Sequence, residues 1–211
     1  GFLGRVVEWI QKEGAQLVTA VTEETRAGIR SILANAAGEG DVSLRAAAQR
    51  LAKLPKLGLS RDLALNFSRD VARIIDPVNS SGWSGSQIQF AIDQKYKRWV
   101  NYRARRIAST EATNAANAAV DLLLREAVAA GELDDEEYEL RWVARYGAAC
   151  PRCAALHDAR RPIKGGVFVS KPVASGTYKG QRISAVRPGI HPWCGCALQS
   201  IAKKVLQKEA A

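Results

Sequence analysis

The sequence predicts an α+β protein, with an N-terminal helical region that includes one long helix and a small mixed domain at its C-terminal end. Three observations lead there. Apolar residues recur at helical spacing through the first 130 positions. Near residue 140 the period changes to two. All four cysteines and one of the two histidines fall in two short clusters within the last third.

The helical region is read from its stripes. Phe2, Val6, Trp9 and Ile10 share one face of a first helix. Leu17, Val21, Ile29 and Ile32 continue as a second, ended by "AAGEGD". Ser43 caps a third, with Leu44, Ala47, Ala48, Leu51 and Leu54 inward and Pro55 closing it. Ser60 opens a fourth whose Leu63, Phe67, Val71, Ile74 and Ile75 form the clearest amphipathic stripe of the chain, stopped at Asp76-Pro77. After the loop "NSSGWSGS", neither Pro nor Gly interrupts the chain from Ser86 to Ala130, which predicts a single long helix, either bent near Arg105–Ser109 or serving as an arm.

After "GELDDEEYE", Leu140, Trp142, Ala144 and Tyr146 alternate with Arg141, Val143 and Arg145, the signature of a strand. A short strand at Val167–Val169, a hairpin around Tyr178–Val186 and a terminal helix over "ALQSIAKKVLQK" complete the expected elements. The expected ranges are 1–85 for the short helices, 86–131 for the long helix and 138–211 for the mixed domain.

Composition limits the function classes. The 211 residues are 47% hydrophobic and 25% charged, enough to bury a core. No apolar run approaches the roughly 20 residues of a membrane helix, and no signal-peptide layout opens the chain, so no membrane association is expected. Methionine is absent even at position 1, which implies a natural product beginning upstream of Gly1 or processed there. The net charge is +10, and it is uneven: Arg141 to Lys208 hold thirteen Lys or Arg against one acid, Asp158. Such asymmetry fits a polyanionic partner, or a solvated face that keeps the protein in solution.

The cysteines carry the most specific signal. "ACPRCAALHD" holds Cys150 and Cys153, and "HPWCGC" holds His191, Cys194 and Cys196. A tight turn fixed by Pro151 aims both sulfurs of a C-x2-C at one point. Four-coordinate structural zinc takes four such Cys or His ligands, so Zn²⁺ has five candidates here. Cys150 and Cys153 lead, then Cys196 and His191, with Cys194 as the alternate, and Gly195 allows unusual backbone angles between the last two cysteines. Two disulfides, or four reduced thiols, are the other readings. A redox C-x2-C usually opens a helix in a βαβ setting, which this pattern lacks. Catalysis is not expected: no H-x-E or H-E-x-x-H occurs, and only His157 and Asp158 stand nearby as acid–base groups.

The long helix carries a second oddity. Glu111 falls on the apolar stripe between Ile107 and Ala115, and Thr110, Asn114, Asn117 and Asp121 form a polar ladder beside it. The ladder either faces solvent or makes a buried network, with Glu111 and Asn114 at its centre and an Arg of the C-terminal part as partner. Upstream, "KYKRWVNYRARR" interleaves basic and aromatic residues, which suits phosphates and bases as well as an ordinary amphipathic helix.

In this order, "RRIASTEATNAANA", the aromatic strand leading to "ACPRCAALHD", and "HPWCGCAL" resemble the phage Mu protein F-like family of minor head (head morphogenesis) proteins. The resemblance covers about residues 86 to 201. Two departures stand out: Ser109 where the family usually has Arg, and Gly195 in place of a basic residue. The resemblance implies a virion protein of few copies, inside the phage head after assembly in the host cytoplasm. It would associate with the portal protein and other head proteins, and act in head assembly or DNA packaging and ejection. Packaged double-stranded DNA would then be a non-specific partner of the basic third, through Arg152, Arg160, Arg161, Lys164, Lys171, Arg182 and Arg187. A free DNA-binding regulator with the same zinc knuckle, and a metal-dependent hydrolase or nuclease, are the competing expectations.

Overall fold

The computed structural model describes residues 2–15, 18, 21–38, 44–54, 57–76, 81–145, 147, 149–191 and 193–203. The expected roles of Leu17, Ser43, Pro55, Pro77, Tyr146 and the last eight residues lie outside these. Five helices come first: α1 (Phe2–Glu13), α2 (Glu23–Gly38), α3 (Leu44–Ala52), α4 (Arg61–Ile75) and α5 (Gly85–Ala129). They are followed by β1 (Tyr138–Val143), α6 (Pro151–Leu156), β2 (Arg160–Pro162), β3 (Phe168–Val169), β4 (Ser184–Ala185) and β5 (Ala197–Ala202). The mixed helix-plus-sheet class and the 45-residue helix agree with the sequence.

The chain forms two compact units whose limits differ from the ranges 1–85, 86–131 and 138–211. One unit joins residues 1–14 to 109–211, and the other spans 15–108. The boundary therefore falls inside α5, which contributes residues to both.

In the 15–108 unit, the apolar faces of α2 and α3 build the core, with Ile29, Leu33, Ala47, Ala48 and Leu51 buried. Gly28 sits where a Cβ would lie 3.0 Å from Leu54 Cδ1, so a small residue lets the helices approach. Leu57 closes this core, and its carbonyl accepts from the buried Arg103 guanidinium of α5 at 2.6 Å. Burial lowers the pKa of Arg103. Ser60 occupies the N-cap of α4, as its position predicts, in extended backbone without a side-chain bond.

In the other unit, Val6, Trp9 and Ile10 of α1 are buried, and Arg5 pairs with Glu126 of α5. The helix ends in a Schellman motif. Gly131, at φ 75°, donates to Val128 O at 3.1 Å, and Glu132 N donates to Ala127 O at 2.9 Å. A three-stranded antiparallel sheet of order β2-β1-β5 follows, and β3 pairs separately with β4. Leu140 and Trp142 of β1 are fully buried, as the alternation predicts. Trp142 meets Phe168 edge to face at 5.6 Å, a contact that contributes about 0.5–1.5 kcal/mol beyond burial.

Three expectations are corrected. The terminal helix over "ALQSIAKKVLQK" is instead strand β5 through Ala202, because the whole length of β1 offers it a partner, from Val143↔Ala197 to Tyr138↔Ala202. Tertiary pairing outweighs local helix preference there. The hairpin is made by β3 with β4, while Tyr178 lies in a turn closed by Gly176 and Gly180 at φ 80° and 79°. The C-x2-C does not sit in a simple turn; it opens α6.

Candidate metal centre

α6 explains why Cys150 and Cys153 face one point. Cys150 is the N-cap, in extended backbone at φ −67° and ψ 160°, and Pro151 takes the first helical position, where its missing N–H is not needed. Cys150 Sγ accepts from Cys153 N at 3.4 Å, so the first turn brings both sulfurs to the same side. Burial pushes the Cys150 thiol up, but hydrogen bonds with Cys153 and the nearby His191 outweigh it, and the net pKa is below the ordinary value.

The second cluster arrives from the other side of the sequence. His191 Nε2 lies 3.1 Å from Cys150 Sγ and 3.0 Å from Cys153 Sγ. Cys194 N donates to His191 O at 3.1 Å, folding "HPWC" back on itself. Cys194 Sγ then stands 3.8 Å from Cys153 Sγ. Two three-ligand sets result, Cys150–Cys153–His191 and Cys153–Cys194–Cys196, each with all donor atoms within 4.8 Å of one another. Cys153 belongs to both. Cys194, the last of the five by spacing alone, is in direct contact with this shared residue.

All four cysteines are free, and a 3.8 Å sulfur separation excludes a bond of about 2.05 Å. The two-disulfide reading is thereby overturned. Hydrogen bonds from Cys153 and Cys196 hold the Cys194 thiol well below its ordinary pKa, while the bonds with Cys194 and Cys196, together with burial, push Cys153 up. Three buried thiols this close cannot all ionise without a cation among them. Soft sulfurs with one imidazole suit a tetrahedral thiophilic ion, and Zn–S bonds of about 2.3 Å imply sulfur pairs about 3.8 Å apart. The five residues therefore cluster compatibly with a metal site.

The polar ladder of α5 holds the second cluster in place. Thr110, Glu111, Asn114, Asn117 and Asp121 are all buried, which settles the choice between solvent ladder and buried network. Thr110 Oγ1 accepts from Trp193 N at 2.9 Å, and Trp193 itself is in the left-handed region at φ 64°. Asn117 acts like a strand edge: its Nδ2 donates to Cys196 O at 3.0 Å, and its Oδ1 accepts from Leu198 N at 2.8 Å. Gly189 packs on Asn114 so closely that a Cβ would lie 1.5 Å from Asn114 Oδ1, and its φ is 110°. Gly195, by contrast, does not adopt a positive φ, so the expected unusual backbone angle is not found there. What its missing side chain permits is the approach of Arg145, whose Cδ would lie 2.9 Å from a Cβ there.

The Arg partner of the ladder is Arg161, and the carboxylate it meets is Asp121 rather than Glu111. Arg161 Nη2 donates to Asp121 Oδ1 at 2.5 Å, with both side chains buried. Arg161 also donates to Val186 O and Pro162 O, and stacks on Phe168 at 5.2 Å. This corrects its expected place as a nucleic-acid contact, since a residue 2% exposed cannot reach a phosphate. Arg152 lies over the Tyr178 ring and Arg187 over Trp9. Arg160 is exposed but pairs with Glu139 at 3.0 Å. Lys164, which lies 3.8 Å from Asp135 Oδ2, is exposed, as are Lys171 and Arg182.

His157 and Asp158 do not join the sulfur cluster. His157 is the C-cap of α6, at the opposite end from Cys150. Its Nδ1 accepts from Ala144 N at 3.2 Å, and its Nε2 lies 3.6 Å from Asp158. Asn117 is the site residue that sequence reasoning placed on the ladder without a role; its spacing from Asn114 was the available signal. Asn117→Ala is expected to cost about 2–4 kcal/mol in urea denaturation, since two backbone groups of β5 would lose their partner.

Among the described residues, no helix is long and apolar enough to cross a membrane. Comparison with protein-family models, with curated proteins and with solved structures finds no match to this chain.

Proposed function

We propose that four of the five clustered residues bind one structural zinc ion, and that the chain is a minor head protein of a tailed phage built around that ion. In this reading it associates with the portal inside the head, aids head assembly or DNA packaging and ejection, and contacts packaged DNA without regard to sequence. One observation carries it. The three segments that resemble the Mu F-like family meet in space: Thr110 and Asn117 of the helix hold the backbone of "HPWCGC", whose His191 reaches both cysteines of "CPRC". Motifs that converge in this way form one folding unit, which supports their being a family signature rather than scattered coincidences.

A bound zinc would supply a cross-link between α6 and the loop before β5. The chain's own groups support a structural rather than catalytic role, because the two acid–base candidates, His157 and Asp158, stand at the far end of α6. Non-specific DNA contact falls to the exposed cations Lys164, Lys171 and Arg182.

Intact virions separated on a density gradient and washed in high salt should retain this protein, as seen by mass spectrometry. Loss to the wash, with salt-sensitive binding to one duplex sequence, would favour a free regulator. The triple variant Lys164→Glu, Lys171→Glu, Arg182→Glu should bind duplex DNA more weakly, with a salt slope shallower by roughly one for each phosphate contact removed. An unchanged slope would place the DNA contact elsewhere.

A further inference from the structure

The strongest amphipathic stripe in the sequence is not buried in the structure. On α4 only Leu63 is buried, while Phe67, Val71 and Ile74 are half-covered and Ile75 is 53% exposed. From Ala64 to Tyr102 no described residue is buried, although this stretch includes Trp83 at 46% and Phe90 at 65% exposure. Helical stripes with this period normally mark a face that something covers. Here the chain's own 15–108 unit covers the face only in part: Tyr96 of α5 meets Phe67 edge to face at 5.5 Å, and Ile75, Trp83 and Phe90 stay exposed.

Between α4 and the start of α5 lies an open groove of about 750 Å³, floored by Ile74, Trp83, Phe90 and Ala91 and rimmed by Lys95 and Arg98. An adjoining hollow of about 480 Å³ adds Arg73 and Asp70. Asp70 is the one acid lining either among the described residues. It is engaged already, accepting from Trp99 Nε1 at 2.9 Å and lying 3.5 Å from Lys95. The groove thus offers an apolar aromatic floor and a cationic rim.

We propose that this groove is a docking site for an amphipathic helix of a partner protein whose polar face is acidic. A helix laid between two helices buries its apolar side on Trp83 and Phe90, and its carboxylates meet Lys95 and Arg98. A symmetric pairing with the same groove of a second copy fits less well, since it would set the same cations against one another. The inference goes beyond the head-protein reading and requires neither zinc nor DNA.

The probe is a fluorescein-labelled synthetic helix with Leu at i, i+3, i+4 and i+7 and Glu at its polar positions, compared with its Lys counterpart by anisotropy on the full chain. The Glu peptide should bind at least about tenfold more tightly than the Lys peptide. Phe90→Ser and Arg98→Glu should each reduce its affinity by about tenfold or more. Both are exposed positions, so an unchanged circular dichroism spectrum accompanies the loss. Three results would overturn the proposal: equal or absent binding of the two peptides, a dimer in light scattering that Phe90→Ser dissociates, or displacement of the Glu peptide by a single-stranded oligonucleotide whose own binding needs Trp83.

Discussion

Cys153→Ser is expected to unfold the sheet-bearing part of the 109–211 segment and to abolish metal retention. Cys153 is the one residue common to both ligand sets, so its loss leaves only Cys150 with His191 on one side and Cys194 with Cys196 on the other. It is also 1% exposed within the core that contains Leu140, Trp142 and Phe168. Structural zinc contributes about 10–16 kcal/mol in small zinc-binding peptides at neutral pH, comparable to the entire stability of a domain. Cys150→Ser removes one member of one set and should be milder, leaving a partly folded protein with weakened metal. Near-ultraviolet circular dichroism, to which the buried Trp142 contributes, read with zinc content, separates the two outcomes. A folded, zinc-bearing Cys153→Ser protein would refute the shared-ligand geometry.

Arg161→Met is expected to cost about 3–5 kcal/mol, because it strands the buried Asp121 carboxylate. Arg125 also reaches Asp121, at 3.0 Å, but from a side chain 38% exposed, so its compensation is partial. Replacing both members, as Asp121→Leu with Arg161→Met, should recover most of the loss, since two apolar side chains of similar volume avoid the desolvation cost altogether. Urea denaturation of the single and double variants measures this coupling. A single variant as stable as the parent would mean that the pair is not formed in solution.

These two sites also mark what can be read from sequence. The cysteine clusters were legible because ligand spacing is local: Cys150 and Cys153 share one helical turn, and His191 and Cys194 one backbone turn. The ladder of α5 was legible as a periodicity, yet its partners were not, because nothing in the spacing of Asn117 or Asp121 says which distant strand or arginine arrives beside them. Arg161 was misjudged for the same reason; a charge count treats a buried cation and a surface one alike. The C-terminal strand was missed because the residues that select it belong to β1, about sixty positions earlier. The stripe of α4 was read correctly as amphipathic, and its exposure could only emerge once the neighbouring elements were in place.

The central claim is that one metal ion joins α6 to the loop preceding β5. Elemental analysis of the protein purified without chelator, paired with a thiol count before and after denaturation in chelator, tests it most directly. About one zinc per chain is expected, with thiols that become reactive only when the metal is withdrawn. A folded protein that carries no metal, or one whose cysteines are recovered as disulfides, would contradict it.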